Sequence, residues 1–312
     1  MIDFKGQVAI VTGAGRGLGR LYALEMARRG AAVVVNDLGG SSRGEGADAS
    51  VADQVVAEIK AADGRAVASH DSVSTAEGGE SIVGLALEQF GRVDVVINNA
   101  GIFEFLPFEN MTEEAWKRML NVHLDGSFHV SQPAFRAMAK QGYGRLVFIS
   151  SSAGMFGMPA NSHYGTAKAG LVGLSNALAI EGEKYGILAN SVLPTGFSRM
   201  VAEQIGVRYD EADRSEFHAA IDPDLVMPMV VYLASRACTL THHNFAACAG
   251  RYSRVFVGLS EGWLSPSGTK PSVEDIAAHE ATITATEHFS IPATLRDELI
   301  ETSAMRGFRL GN

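Results

Sequence analysis

The stretch that decides the fold is Val8-Ala9-Ile10-Val11-Thr12-Gly13-Ala14-Gly15-Arg16-Gly17-Leu18-Gly19, which runs on into Arg20-Leu21-Tyr22-Ala23-Leu24. A short β-branched run meets Gly13, Gly17 and Gly19 at GxxxGxG spacing, and a segment of helical composition follows. Strand, tight turn and helix in that order open a βαβ unit. The spacing differs from the commoner GxGxxG, but the physics is shared. Glycines let the backbone turn sharply and approach a pyrophosphate, whose charge is stabilised by the free N–H groups and dipole at the helix N-terminus. Arg16 and Leu18 lie inside the turn and are expected at the same site.

Outward from this turn, β-branched runs recur at 8–12, 32–36, 66–69, 93–97, 145–150 and 187–193. Helical patterns follow the first five, at 17–29, 47–62, 76–90, 113–140 and 162–184. Such alternation reads as an α/β, doubly wound Rossmann sheet of about seven parallel strands with helices on both faces. A helix is expected over 223–236, strands over 245–249 and 252–258, and a short helical pattern over 273–284. The expected organisation is one domain over 1–260 and a C-terminal extension over 261–312, packed on the same domain or on a neighbouring subunit. The Gly-rich stretch 39–46 is expected to be a mobile surface loop, and 194–221 a substrate lid at a strand end.

Charge narrows the partners. A net charge of −9 and a pI near 5.5 argue against nucleic acid, whose binding rests on clustered Lys and Arg. No stretch approaches the roughly 20 apolar residues of a membrane span, and residues 1–15 lack a signal-peptide core. The two cysteines, Cys238 and Cys248, have no metal-ligand spacing and suit a reducing compartment. A cytoplasmic protein without metal, nucleic-acid or membrane partners is expected.

The second strand ends at Asp37, 24 residues after Gly13, where an acidic side chain can accept hydrogen bonds from an adenosine ribose. A carboxylate there repels a 2′-phosphate, so NAD is expected over NADP, with Arg16 as the residue that tempers this preference. Asp71 and Ser72 follow the third strand, and Asn98-Asn99-Ala100-Gly101 follow the fourth. Both groups sit at carboxyl ends of strands, where the crevice of an open sheet forms. Asn99, Ala100 and Gly101 suit a turn lying against the cofactor.

Tyr164 and Lys168 stand at i and i+4 on a helical segment and so share a face. A phenol with a reference pKa of about 10 is a poor base near neutrality, and a nearby ammonium lowers that value. Lys168 is also placed to donate to the nicotinamide ribose. Ser151 lies 13 residues before Tyr164, just after the fifth strand, and its hydroxyl is suited to hold the substrate oxygen as charge develops. Phe103, Phe105, Met155, Phe156 and Met158 are expected at the rim.

Taken together, Gly13 to Gly19, Asn98 to Gly101, Ser151, Tyr164 and Lys168 resemble the short-chain dehydrogenase/reductase family over roughly residues 5 to 260. The resemblance implies hydride transfer between NAD and a secondary alcohol or ketone. Tyr164 would be the general acid/base, Lys168 the pKa modulator and ribose ligand, and Ser151 the stabiliser of the reacting oxygen. At the position where many members carry Asn, with a main-chain carbonyl that holds a relay water, this chain has His123, a fourth catalytic candidate. The family's Pro-Gly after the sixth strand is altered to Pro194-Thr195-Gly196, where the resemblance implies that Pro194 and Gly196 contact the nicotinamide.

Within the family the chain shows a closer resemblance to the dehydrogenase domain of type 2 peroxisomal multifunctional enzymes. The shared residues are Val35-Asn36-Asp37-Leu38-Gly39-Gly40, His123 to Phe128, Leu174-Ser175-Asn176, Ala179-Ile180-Glu181-Gly182 and Ser198-Arg199-Met200. That similarity implies (3R)-hydroxyacyl-CoA as substrate, with a hydroxysteroid or steroid side chain as the alternative and a non-catalytic NAD-binding regulator as a third reading. It also implies a homodimer or homotetramer formed through the helices at 113–140 and 162–184.

Overall fold

The run Val8–Thr12 forms strand β1, with all five residues buried, and it pairs in parallel on one side with β2 (Ala32–Asn36) and on the other with β4 (Val95–Asn98). The computed structural model describes residues 1–196 and 221–308. Its main sheet has eight strands in the order β3-β2-β1-β4-β5-β6-β7-β8, with β3 at Arg65–Ser69, β5 at Gly144–Ile149, β6 at Ile187–Thr195, β7 at His243–Cys248 and β8 at Arg251–Val255. Pairing is parallel from β3 through to β7. The sequence led us to expect about seven strands. The eighth, β8, overlaps the strand expected over 252–258 and follows a two-residue turn at Ala249 and Gly250, whose φ angles of 51° and 75° suit a hairpin that carries the chain back beside β7.

Side-chain alternation along each strand divides the core in two. Ala9, Val11, Val33, Val35, Val147 and Ile149 face one layer, with Tyr22 and Met26 of α1 (Gly17–Arg28), Val55 and Ile59 of α2 (Ser50–Ala61) and, later in the chain, Val230 and Leu233 of the helix Met227–Ala234. Val8, Ile10, Val34, Val96, Leu146 and Phe148 face the other. There they meet Ile82 of α3 (Ala76–Phe90), and Met138 and Leu171 from two later helices. Burying both faces is what made these strands near-continuous in Val, Ile and Ala.

The helical pattern over 113–140 resolves into α4 (Glu113–Leu120), a π-helical turn (Asn121–Asp125) and α5 (Gly126–Gln141). Thr112 caps α4 by accepting from the Ala115 amide. A five-residue helix absent from our sequence reading, α6 (Ser152–Phe156), follows β5, and α7 (Ser162–Gly182) comes next. The helix Met227–Ala234 is α8. Most of the lid expected at 194–221 lies outside the described residues, as does the run Ser198 to Met200.

Two compact units are present, Met1–Arg254 and Val255–Asn312. In the second, α9 (Val273–Ala278) and α10 (Glu280–Ile283) occupy the expected helical stretch, and β9 (Leu259–Ser260) pairs antiparallel with β10 (Phe289–Ser290). A further helix, α11 (Leu295–Met305), starts at a capping box of Thr294 and Asp297. No described helix is long and apolar enough to cross a membrane, and no three described His, Cys, Asp or Glu residues gather as a metal site.

Candidate active site

The chain leaves β3 at one side of β1 and re-enters the sheet as β4 at the other, so the strand order reverses between β1 and β4. A crevice at the carboxyl ends of the strands follows from that reversal. Here it is a cleft of about 1380 Å³ lined by the glycine turn, the ends of β2, β4, β5 and β6, and the start of α7.

Four backbone junctions build its floor. The Thr12 hydroxyl accepts from the amides of Asn99 and Ala100, both at 3.0 Å, and the Asn99 side chain donates to the carbonyls of Thr12 (3.0 Å) and Gly13 (3.1 Å). Asn99 thereby splices the end of β4 to the glycine turn. Gly13 has φ +62°, and a Cβ there would lie 2.7 Å from the Ala100 Cα, so the two turns approach closely only with glycine. On the other side, Asp37 accepts from the Gly15 amide at 2.8 Å through Oδ2 and from the Gly39 amide at 2.7 Å through Oδ1. Each oxygen keeps a further lone pair for a ligand hydroxyl. Asp71 accepts from the Ser69 hydroxyl at 3.0 Å, and Ser72 accepts from the Ser74 amide at 3.2 Å.

The loop over 39–46 is folded onto this floor rather than projecting from it. Its Ser42 carbonyl accepts from the Phe103 amide at 2.8 Å, and its Gly40 carbonyl accepts from Arg16 Nη1 at 3.1 Å. Those two bonds tie the loop, expected from composition to be a mobile surface loop, to Phe103 and Arg16 of the cleft.

A dinucleotide fits these residues. The N-terminus of α1 has no side-chain cap and no acidic residue in its first turn, and Gly17, Leu18 and Gly19 line the cleft. Uncapped amides aimed into a cavity are the arrangement that holds a pyrophosphate. Gly13, Arg16, Asp37, Asp71, Ser72, Asn99, Ala100, Gly101, Pro194 and Gly196 line the same cleft.

The other end of the cleft brings Ser151, Tyr164, Lys168 and His123 together. Ser151 is the N-cap of α6, its hydroxyl oxygen accepting from the Ala153 amide at 3.2 Å. Two bonds lock β5 to α7: Lys168 Nζ donates to the Ile149 carbonyl at 2.6 Å, and the Ser150 hydroxyl donates to the Lys168 carbonyl at 2.7 Å. Lys168 Nζ lies 5.6 Å from the Tyr164 ring centre. The phenol ring meets Phe103 edge-on at 4.8 Å and His123 edge-on at 5.3 Å.

Burial governs the charges. It pushes the Tyr164 phenol above its usual value, with the hydrogen-bonding side chain of Ser151 acting in the opposite direction, and it pushes Lys168 down to about 7. The sequence suggested that the ammonium would dominate the phenol. In the resting cleft desolvation dominates instead, because Lys168 is itself buried and spends one N–H on Ile149. His123, 2 % exposed, is held well below the usual imidazole value by burial and then by the charge of Lys168.

Phe103, Phe105, Phe156 and Met158 line the cleft as expected, whereas Met155 is not among its lining residues. Sequence reasoning missed Thr12, Ser150 and Ser42, whose parts are visible only when two strand ends meet. It also missed Lys117 and Arg118 at the rim, which pair with Glu113 (2.5 Å) and Glu104 (2.6 Å).

Residues 7–208 match the short chain dehydrogenase family, and the chain belongs to it. It is 43 % identical to a short-chain type dehydrogenase/reductase of Mycobacterium tuberculosis over 91 % of this chain and 96 % of that one. It is also 44 % identical to the peroxisomal multifunctional enzyme type 2 of Mus musculus over 80 % of this chain but 32 % of the mouse protein. The full-length peroxisomal multifunctional enzyme type 2 of Drosophila melanogaster superimposes with a TM-score of 0.77 at 32 % identity, covering 96 % of this chain and 49 % of that one. The chain is thus an oxidoreductase of a family that uses NAD(P) and small-molecule substrates, and it spans about a third to a half of these animal relatives.

Proposed function

We propose that the protein interconverts a secondary alcohol and a ketone with NAD, and that its substrate is a (3R)-hydroxyacyl-CoA and the matching 3-oxoacyl-CoA. The observation that carries this reading is the convergence of Tyr164, Ser151 and Lys168 at one end of a cleft whose other end is the uncapped turn before α1. The substrate class is supported by similarity to peroxisomal multifunctional enzymes, one of them a hydratase-dehydrogenase-epimerase of Saccharomyces cerevisiae 42 % identical over 84 % of this chain. NAD, when bound, accepts or returns the hydride. Gly13, Gly17 and Gly19 would hold its pyrophosphate, Asp37 the adenosine ribose and Lys168 the nicotinamide ribose.

Tyr164 then moves the proton. The neutral phenol of the resting cleft is the acid that ketone reduction needs. Alcohol oxidation needs the phenolate, which the ammonium of Lys168, 5.6 Å from the ring, stabilises. The Ser151 hydroxyl donates to the substrate oxygen as charge grows on it.

A bulky hydroxysteroid is the second reading, favoured by the apolar wall of Phe103, Phe105, Phe156 and Met158, in which Phe156 is 72 % exposed. Purified protein offered NAD with a panel of 3-hydroxyacyl-CoA enantiomers and hydroxysteroids distinguishes them. We expect NAD reduction with the R acyl-CoAs at the highest kcat/KM. Turnover confined to hydroxysteroids, or to polyols, would reject the acyl-CoA assignment.

A further inference from the structure

The segment between β2 and α2 crosses the cleft and is fastened on its far side. The order β2-β1-β4 places the glycine turn between the ends of β2 and β4, which stand two strand spacings, about 10 Å, apart. Chain that leaves β2 and bonds to chain leaving β4 therefore spans that turn. Here the Ser42 carbonyl accepts from the Phe103 amide at 2.8 Å, and on the way across the Gly40 carbonyl accepts from Arg16 Nη1 at 3.1 Å. Gly40, Ser41, Ser42 and Gly44 line the same cleft as Gly17 and Gly19, so this strap faces the turn across the cavity. On the opposite side the Asn99 side chain donates to the Thr12 and Gly13 carbonyls, and Asp37 accepts from the Gly15 amide. Strap, β4 end and glycine turn thus form a closed ring of chain around the place suited to a pyrophosphate. A dinucleotide carries a base and a sugar at each end, and neither end threads a ring closed about its narrow middle.

The strap is built to move as one piece. At its base the Asp48 amide donates to the Leu38 carbonyl at 2.9 Å, and a Cβ on Gly39 would collide with the Asp48 carbonyl oxygen, so the two ends are pinched together. At its tip the Ser41 amide donates to the Glu45 carbonyl at 2.8 Å, and the Gly44 amide donates to the Ser41 carbonyl at 3.0 Å. Gly39 and Gly46, with φ of +79° and +76°, bracket the tip with backbone that favours glycine. Residues 43–49 are exposed, so no buried apolar core holds this part of the strap down. Segments of that kind open locally at low cost while the rest of the fold stays intact.

We propose that residues 39–48 form a latched strap over the pyrophosphate site, and that the Ser42–Phe103 latch opens each time the cofactor is exchanged. The proposal rests on the assignment of the glycine turn to a dinucleotide, and it is independent of which alcohol is turned over. Phe103, whose amide closes the latch, also meets the Tyr164 ring edge-on at 4.8 Å, so the closed strap and the seat of the phenol share one residue.

A Cβ on Gly44 would lie 3.9 Å from the Ile102 side chain's own Cβ, within the span of a disulfide. Gly44→Cys combined with Ile102→Cys therefore allows the strap to be fastened shut by oxidation and freed by a reductant. Both forms are the same chain, so strain from a cysteine at the left-handed Gly44 is present in each. NADH uptake and release are followed by stopped-flow fluorescence without substrate, and mass spectrometry verifies the cross-link. Oxidation is expected to slow both rates by about a hundredfold, with recovery on reduction and no change in the natural protein treated alike. Replacing residues 40–46 by two glycines, a turn that the pinch at Leu38 and Asp48 can close, is expected to speed NADH release by about tenfold. Rates in the cross-linked form within about twofold of the reduced form would overturn the proposal. So would unchanged release from the shortened protein, which decides the matter even if the disulfide does not form. A natural protein that binds no NADH would reject the dinucleotide site and the strap with it, whereas binding with unaltered exchange would reject the strap alone.

Discussion

At the level of single residues, burial decides what Lys168 and Tyr164 are before any ligand enters. Lys168 is pushed from an ordinary 10.5 down to about 7 by desolvation. Between those values the unfolded chain holds a proton that the folded chain has released, so this residue makes the resting protein more stable as pH rises through that window. The cost of burying the ammonium is full below the folded value and gone above the unfolded one. Lys168→Met is therefore expected to raise Tm most below about pH 7 and to lose that advantage by about pH 10, read by thermal unfolding of the ligand-free protein across pH. An advantage that grows with pH would show that Lys168 is not desolvated as described. The trio's spacing was legible in the sequence because i and i+4 share a helix face and Ser151 follows a strand end. The charge balance was not, because burial of Lys168 depends on β5 and α7 meeting through Ile149 and Ser150.

At the level of elements, strand-to-helix junctions were legible and their cross-links were not. Asp37 was read as a ribose ligand from its place at the end of β2, yet its carboxylate also receives the amides of Gly15 and Gly39. Asp37→Ala should therefore do two things. It should relax the preference for NAD over NADP, and it should destabilise the ligand-free protein by about 2 kcal/mol, since hydrogen bonds to charged groups are lost. Urea unfolding and the ratio of kcat/KM for the two cofactors measure these separately, and an unchanged ratio would remove Asp37 from cofactor choice. Helix boundaries show the same pattern. The 3.6-residue period over 113–140 gave no warning of the π-helical turn, because those five residues run on without a break from α4 into α5. The capping boxes at Ser272 and Thr294 are sequence signals, and the second would have revealed α11.

For the whole molecule, the order β3-β2-β1-β4 matters most, because it opens the cleft between the turn before α1 and the starts of α6 and α7. The alternation of strands and helices made that sheet legible from the glycine turn outward, down to the parallel pairing. Strand count was less so: β8 at Arg251–Val255 overlaps the strand expected over 252–258, but its mostly exposed residues gave no sign that it joins the main sheet as an edge strand. The substrate is set by cleft walls drawn from α4, α6 and the loops between, which no short motif encodes. The central claim is that Tyr164 moves the proton in a cleft that binds NAD independently of it. Tyr164→Phe tests this most directly, with NAD-linked turnover and NAD affinity measured on the same preparation. The account predicts a fall in kcat/KM of about a thousandfold with the NAD Kd within about twofold; turnover within about tenfold of the natural protein would contradict it.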